Sequence, residues 1–154
     1  AKKIIAVEPF PKNFQILEKN IQENNFNDFI TPVLAACGSS KKEILIDPNL
    51  HNGMRSVLHE CSDGIKIQTI TIEQIINEFD LNEAILKLDC EGCEYETILN
   101  CSPSILQKFT DIQIEYHNGF KNLEEKLMSA GFEVSHTIMD NINRGHIHAK
   151  RKKI

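Results

Sequence analysis

Ala84-Ile85-Leu86-Lys87-Leu88-Asp89-Cys90-Glu91-Gly92-Cys93-Glu94-Tyr95-Glu96 is the stretch from which the fold is read. Its first half is a short apolar run ending in an acid, the pattern of a strand buried inside a sheet. Gly92 punctuates the run, and Glu94 to Leu99 then reads as a short helix. Strand, turn and helix in that order make one βα step.

The same step recurs on both sides. Upstream, Ile4-Ile5-Ala6-Val7 is a continuous apolar run that stops at Glu8-Pro9, where proline cannot donate to a ladder. From Asn13 onward Phe14, Leu17 and Ile21 recur at helical spacing. Phe29 to Ala36 reads as a second strand halted by Gly38-Ser39-Ser40, and Glu43 to Ile46 as a short third. Ile65, Ile67, Thr69 and Ile70 form another strand, and Thr71 caps a helix carrying Ile72, Ile75, Ile76 and Phe79. Downstream, Ser104 to Phe109 reads as a helix, Asp111 to His117 as a strand, and Leu123 to Ala130 as a helix closed by Gly131. Phe132 to Ile138 and Gly145 to Lys150 form a terminal strand pair. This rhythm predicts an α/β fold, with a mostly parallel sheet, flanking helices and an antiparallel C-terminal strand pair. The polar stretch 47–64 is the longest loop, and 1–154 reads as a single domain.

Composition excludes several classes. The chain has 154 residues, 41% hydrophobic and 25% charged, with a formal net charge of −5. A length of this order can bury a core without disulfide staples. The negative balance argues against nucleic acid, whose binders need a basic face to displace phosphate counterions. Lys150, Arg151, Lys152 and Lys153 form a short basic tail that reads as a solvated end. No apolar run reaches the length of a membrane span, so no membrane partner is expected. Five cysteines, an odd number, read as reduced thiols of a cytoplasmic protein.

Ligands of open parallel sheets bind beyond the carboxyl ends of the strands. Glu8, Ala36-Cys37-Gly38, Asp89-Cys90-Glu91-Gly92 and Glu115-Tyr116-His117 occupy such ends. A carboxylate at the position of Glu8 can accept both hydroxyls of a ribose. His117 is the best candidate base, since imidazole titrates near neutrality. Asp89 can orient an acceptor or the imidazole.

Val7-Glu8-Pro9-Phe10-Pro11-Lys12-Asn13-Phe14, Ala35-Ala36-Cys37-Gly38, Thr69-Ile70-Thr71-Ile72, the Lys87-to-Glu96 segment and Ile114-Glu115-Tyr116-His117 together resemble the FkbM-type methyltransferase family. The closing His148-Ala149-Lys150-Arg151 fits the resemblance too. It covers nearly the whole chain. It implies a Rossmann-like fold that binds S-adenosylmethionine and transfers methyl, usually to a hydroxyl of a sugar or other small molecule. By resemblance Glu8 would hold the cofactor ribose, Ala36 and Cys37 would edge the adenine pocket, and Asp89 with Glu91 would lie beside the methyl group and acceptor. The family begins with an earlier strand and a glycine-rich loop, and none of the seven glycines here forms a G-x-G. The expectation is a chain lacking that first strand, the C-terminal majority of a longer domain, which by itself binds the cofactor poorly. The alternative is a non-catalytic scaffold that has lost the loop. A missing first strand would leave Ile4–Val7 and Ile85–Leu88 either to pair with each other or to be bridged by a second copy as a homodimer.

Three further patterns compete for attention. A divalent ion on Asp89, Glu91 and Glu115 would suit hard oxygen ligands, although no metal is assigned. Cys90-x-x-Cys93 invites a redox or zinc reading, with Cys101, His51, His59 and Cys61 as further ligands. Asp89, Glu91 and Glu94 oppose it, because neighbouring negative charge raises thiol pKa. His146 and His148 would share one face of a terminal strand.

Overall fold

The computed structural model describes residues 3–47 and 64–152, which form two compact units, Ala1–Ile70 and Thr71–Ile154. His51, Gly53, His59 and Cys61 lie outside the described residues.

In the N-terminal unit, β1 (Ile4–Glu8) is followed by α1 (Pro11–Glu23) and β2 (Ile30–Leu34). α1 starts two residues before the periodic pattern does, because Pro11 occupies its first turn, where a missing N–H costs nothing and φ is already helical. Its buried residue is Ile21, with Phe14 and Leu17 half-buried on the same stripe. β1 and β2 run parallel, Ile4 opposite Ile30 and Glu8 opposite Leu34, which completes a βαβ unit.

The expected strand over 29–36 is two strands. β2 ends at Leu34, and β3 (Ala36–Cys37) pairs parallel with β5 (Ile65–Ile70) instead. The break has a plain cause: β1 stops at Glu8-Pro9, so residues beyond Leu34 find no ladder on that side. β4 (Glu43–Ile46) lies antiparallel on the other edge of β5. Phe10, Ala36, Ile46 and Ile67 form a buried cluster with Ile44 packed against it. The buried Thr69 hydroxyl donates to the Ser40 carbonyl at 2.6 Å and accepts from Lys42 N–H at 2.8 Å, which ties the chain between β3 and β4 to β5.

The C-terminal unit opens with α2 (Ile72–Glu78), whose start is a capping box: Thr71 Oγ1 accepts from Gln74 N–H, and the Gln74 side chain accepts from Thr71 N–H. β6 (Ala84–Leu88), α3 (Cys93–Leu99), α4 (Pro103–Leu106), β7 (Phe109–Tyr116), α5 (Lys121–Ser129), β8 (Phe132–Asn141) and β9 (Arg144–Arg151) follow. The helix expected over 104–109 ends at Leu106, and Phe109 begins β7 with its side chain buried. The sheet order is β6-β7-β9-β8. β6 and β7 are parallel, while β9 runs antiparallel to both β7 and β8, so the terminal strand sits inside the sheet rather than at its edge.

Period-two alternation gives β7 and β9 one buried face each. Ile112, Ile114 and Tyr116 on β7 are buried, as are Gly145, Ile147 and Ala149 on β9, while Phe109 is buried ahead of the register shift between Ala84 and Ile85. Ile98, Leu106, Leu123, Leu127 and Phe132 are buried with them. On the opposite face His146 and His148 stand exposed side by side, as their spacing predicts, at 3.6 Å from Glu115 and 3.4 Å from Asp111. Among the described residues β1 pairs only with β2 and β6 only with β7. No helix among them is long and apolar enough to cross a membrane.

Candidate functional site

The C-terminal unit gathers its chemistry between the turn after β6 and the end of β7. β6 delivers Asp89, and the chain then turns sharply through Glu91 (φ 53°) and Gly92 (φ 120°) before α3 begins at Cys93. The left-handed backbone at Gly92 suits a residue without Cβ, whereas Glu91 is held there against its preference. β7 ends at Tyr116, which places His117 across from that turn.

Glu94, in the first turn of α3, is fully buried. Its Oε1 accepts from Cys90 N–H at 3.0 Å and its Oε2 from Gly92 N–H at 2.7 Å. The same Oε1 lies 3.0 Å from His117 Nδ1. A buried carboxylate is tolerable here because three polar partners replace its lost hydration. His117 is 13% exposed, and its Nε2 lies 3.5 Å from both Glu91 Oε2 and Glu115 Oε1. Neither oxygen is in hydrogen-bonding position, so Nε2 is buried without a hydrogen-bond partner among the described residues. Tyr95 secures the segment that follows, accepting from Asn118 N–H at 2.6 Å and donating to the Gly119 carbonyl at 2.7 Å.

Glu115 carries its own counter-charge. Arg144 donates to its Oε1 at 2.9 and 3.2 Å, and that guanidinium holds the carboxyl below the usual range. Asp89 is more open, 37% exposed, with Lys87 Nζ at 4.0 Å. Ligand atoms of Asp89, Glu94 and His117 nonetheless lie within 4.8 Å of one another, close enough for one cation to bridge. Thus Asp89, Glu91 and His117, named from sequence, are brought together, and Glu115 joins them. Glu94 is the residue that sequence reasoning passed over. Its signal is a glutamate two residues after a turn glycine and in the first turn of a helix, where freed N–H groups need an acceptor.

The thiols differ from expectation. Cys90 and Cys93 form a disulfide, with Cα atoms 5.5 Å apart, rather than two reduced thiols. The left-handed turn at Glu91 and Gly92 brings them within bonding reach. Glu94 does not hinder this, because its charge is spent on N–H groups and His117. The zinc reading loses both sulfurs to that bond. Cys37 and Cys101 are free, and burial pushes each thiol up to about 11.

In the N-terminal unit Glu8 ends β1, half-buried. Phe10 N–H donates to its Oε1 at 2.8 Å, and Asn13 Nδ2 reaches the same oxygen at 3.5 Å. Both hydrogen bonds fall on one oxygen, so the carboxylate is oriented while keeping acceptor capacity for a diol. Ala36 is fully buried, and Cys37 is half-buried at the carboxyl end of β3. The Ala36 side chain is taken up by the cluster with Phe10, Ile46 and Ile67, which leaves the neutral Cys37 thiol as the more open of the two. Of these residues Glu8 is the one whose free acceptor capacity could hold the ribose end of S-adenosylmethionine.

The profile of the methyltransferase FkbM domain matches residues 1–134. The chain belongs to this family. No curated protein matches it. Among solved structures it is similar to a METTL16 methyltransferase domain, with a TM-score of 0.59 and 14% identity over 98% of this chain. A second similarity is to a delta-N METTL16 methyltransferase domain, with a TM-score of 0.52 and 11% identity over 96% of this chain. These likenesses give the FkbM domain a methyltransferase Rossmann-like fold. The chain spans 51% of the first of those structures and 62% of the second, so it corresponds to about half to two thirds of their length.

Proposed function

We propose that this FkbM domain serves an S-adenosylmethionine-dependent methyltransferase acting on a hydroxyl of a sugar or other small polar molecule. The observation that carries the reading is the family match over residues 1–134, joined to acidic and imidazole groups at strand carboxyl ends. When bound, S-adenosylmethionine supplies an electrophilic methyl group. The chain's own residues have to hold that cofactor, seat an acceptor oxygen and take its proton.

Glu8 would accept from the ribose hydroxyls, and Ala36 with Cys37 would edge the adenine. Asp89, the most exposed acid of the C-terminal cluster, would receive the acceptor hydroxyl as a charge-assisted hydrogen-bond acceptor. Glu91 would flank it from the turn. His117, steadied through Nδ1 by Glu94, would draw the proton into the carboxylate–imidazole cluster as the oxygen attacks. Such a reaction asks mainly for alignment and proton removal, so a rigid turn is more useful than a reactive side chain.

The reading is tested by transfer of labelled methyl from S-adenosylmethionine, using the complete protein and a panel of hydroxylated small molecules. Transfer that falls at least tenfold in Asp89→Asn is the expected result. A protein that binds the cofactor and acceptor yet transfers equally well with Asp89→Asn and His117→Ala would remove both residues from the chemistry.

A further inference from the structure

We propose that His117 Nε2 is a ligand for one divalent metal ion, of the Mn²⁺ or Zn²⁺ class that accepts both imidazole and carboxylate, shared with Glu91 and with Asp89 at the open side. Glu115 is the remaining neighbour. The first observation is geometric: Nε2 stands 3.5 Å from Glu91 Oε2 and 3.5 Å from Glu115 Oε1. Two ligands held about 2.1 Å from one ion at a near-tetrahedral angle are separated by about 3.4 Å.

The second observation is the state of the imidazole. Glu94 Oε1 fixes Nδ1 at 3.0 Å, which leaves Nε2 as the nitrogen turned to the other acids. Nε2 is buried and lacks a hydrogen-bond partner among the described residues. A bare lone pair there would face carboxylate oxygens, and a proton there would point at no acceptor among the described residues. A cation on the Nε2 lone pair resolves both conflicts. The carboxylate on Nδ1 is also the partner that metal-bound histidines characteristically have, since it sets the tautomer and raises ligand basicity.

The ligand set decides the ion. One imidazole with carboxylates is softer than the all-oxygen cage that Mg²⁺ or Ca²⁺ prefers. Glu115 Oε1 already takes the Arg144 guanidinium, so it is the weaker ligand, and Glu91 on the turn is the more available. Asp89 stands beside the set at its open side, an oxygen of its carboxylate lying within 4.8 Å of one ring nitrogen of His117 and of a Glu94 oxygen. Binding of the ion does not require the methyl-transfer reading to be right. If that reading holds, the ion would take over from His117 the acidification of an acceptor hydroxyl seated at Asp89, because an Nε2 lone pair given to the metal cannot also take the proton.

The test is Mn²⁺ titration of the purified chain, followed by the electron paramagnetic resonance of free Mn²⁺ and by broadening of the His117 ring resonances. One Mn²⁺ per chain is expected, competed by Zn²⁺, with affinity falling at least tenfold in both Glu91→Gln and Asp89→Asn. Both residues are on the turn and partly exposed, so these variants keep their fold, which a thermal melt checks. Absence of saturable binding, binding that leaves the His117 ring signals sharp, or affinity unchanged in both variants would overturn the proposal. None of these readouts depends on methyl transfer.

Discussion

Glu94 Oε1 lies 3.0 Å from His117 Nδ1 and so joins the first turn of α3 to the residue after β7. Because the same carboxylate also accepts Cys90 and Gly92 N–H, its removal would leave two backbone donors and an imidazole without their acceptor. Glu94→Ala should therefore cost about 3 kcal/mol. Glu94→Gln should recover part of it, since the amide oxygen still accepts. Urea denaturation of the two variants checks this, and equal stability of both with the parent chain would deny Glu94 its bracing role.

Gly145 on β9 sits opposite Tyr116 and Ile138. A Cβ there would run into the Thr137 carbonyl oxygen and lie 2.5 Å from the Tyr116 hydroxyl oxygen. Backbone on one side leaves little room to yield, so Gly145→Ala should destabilise the chain by about 2 kcal/mol or more. A thermal melt reads the loss directly. An unchanged melting temperature would contradict the close approach of β8, β9 and β7.

Much of this architecture is legible in the sequence because continuous apolar runs and period-two alternation are physical consequences of burial. Ile4–Glu8, Glu43–Ile46, Ile65–Ile70 and the terminal strand pair emerge that way. The break at Ala35 does not, because Val33-Leu34-Ala35-Ala36 is uninterrupted in hydropathy and only the end of β1 dictates a change of partner. Glu94 is equally hidden, since Glu94 and Glu96 look alike in sequence and only the fold buries the first. The disulfide escapes a charge-based argument because backbone torsions at Glu91 and Gly92, rather than nearby acids, set the distance between the sulfurs.

Thiol chemistry separates the cysteines. Cys37 and Cys101, each pushed up to about 11 by burial, should carry roughly 100-fold less thiolate at neutral pH than an unperturbed thiol. Iodoacetamide at neutral pH should label both slowly, and should label Cys90 and Cys93 only after reduction. Peptide mass spectrometry distinguishes these sites. Rapid labelling of Cys90 or Cys93 without reductant would show that the pair is open.

Arg144 holds Glu115 below the usual carboxylate range, and the sign of its pH effect follows. The stabilisation is fully present above the unfolded carboxylate value and is lost as pH falls through the lowered folded value. Glu115→Gln should accordingly lower the urea midpoint at neutral pH and narrow the gap to the parent chain in acid. A difference that grows on acidification would reverse the assignment.

Equilibrium binding of S-adenosylmethionine to the complete protein, measured by calorimetry with and without Glu8→Ala, tests cofactor recognition most directly. Saturable binding that Glu8→Ala weakens by about 1.5 to 3 kcal/mol is the predicted result, since a braced carboxylate makes charge-assisted hydrogen bonds to a diol. A complete protein that fails to bind S-adenosylmethionine would contradict the methyltransferase reading, and one that binds it equally well without the Glu8 carboxylate would contradict the assigned site.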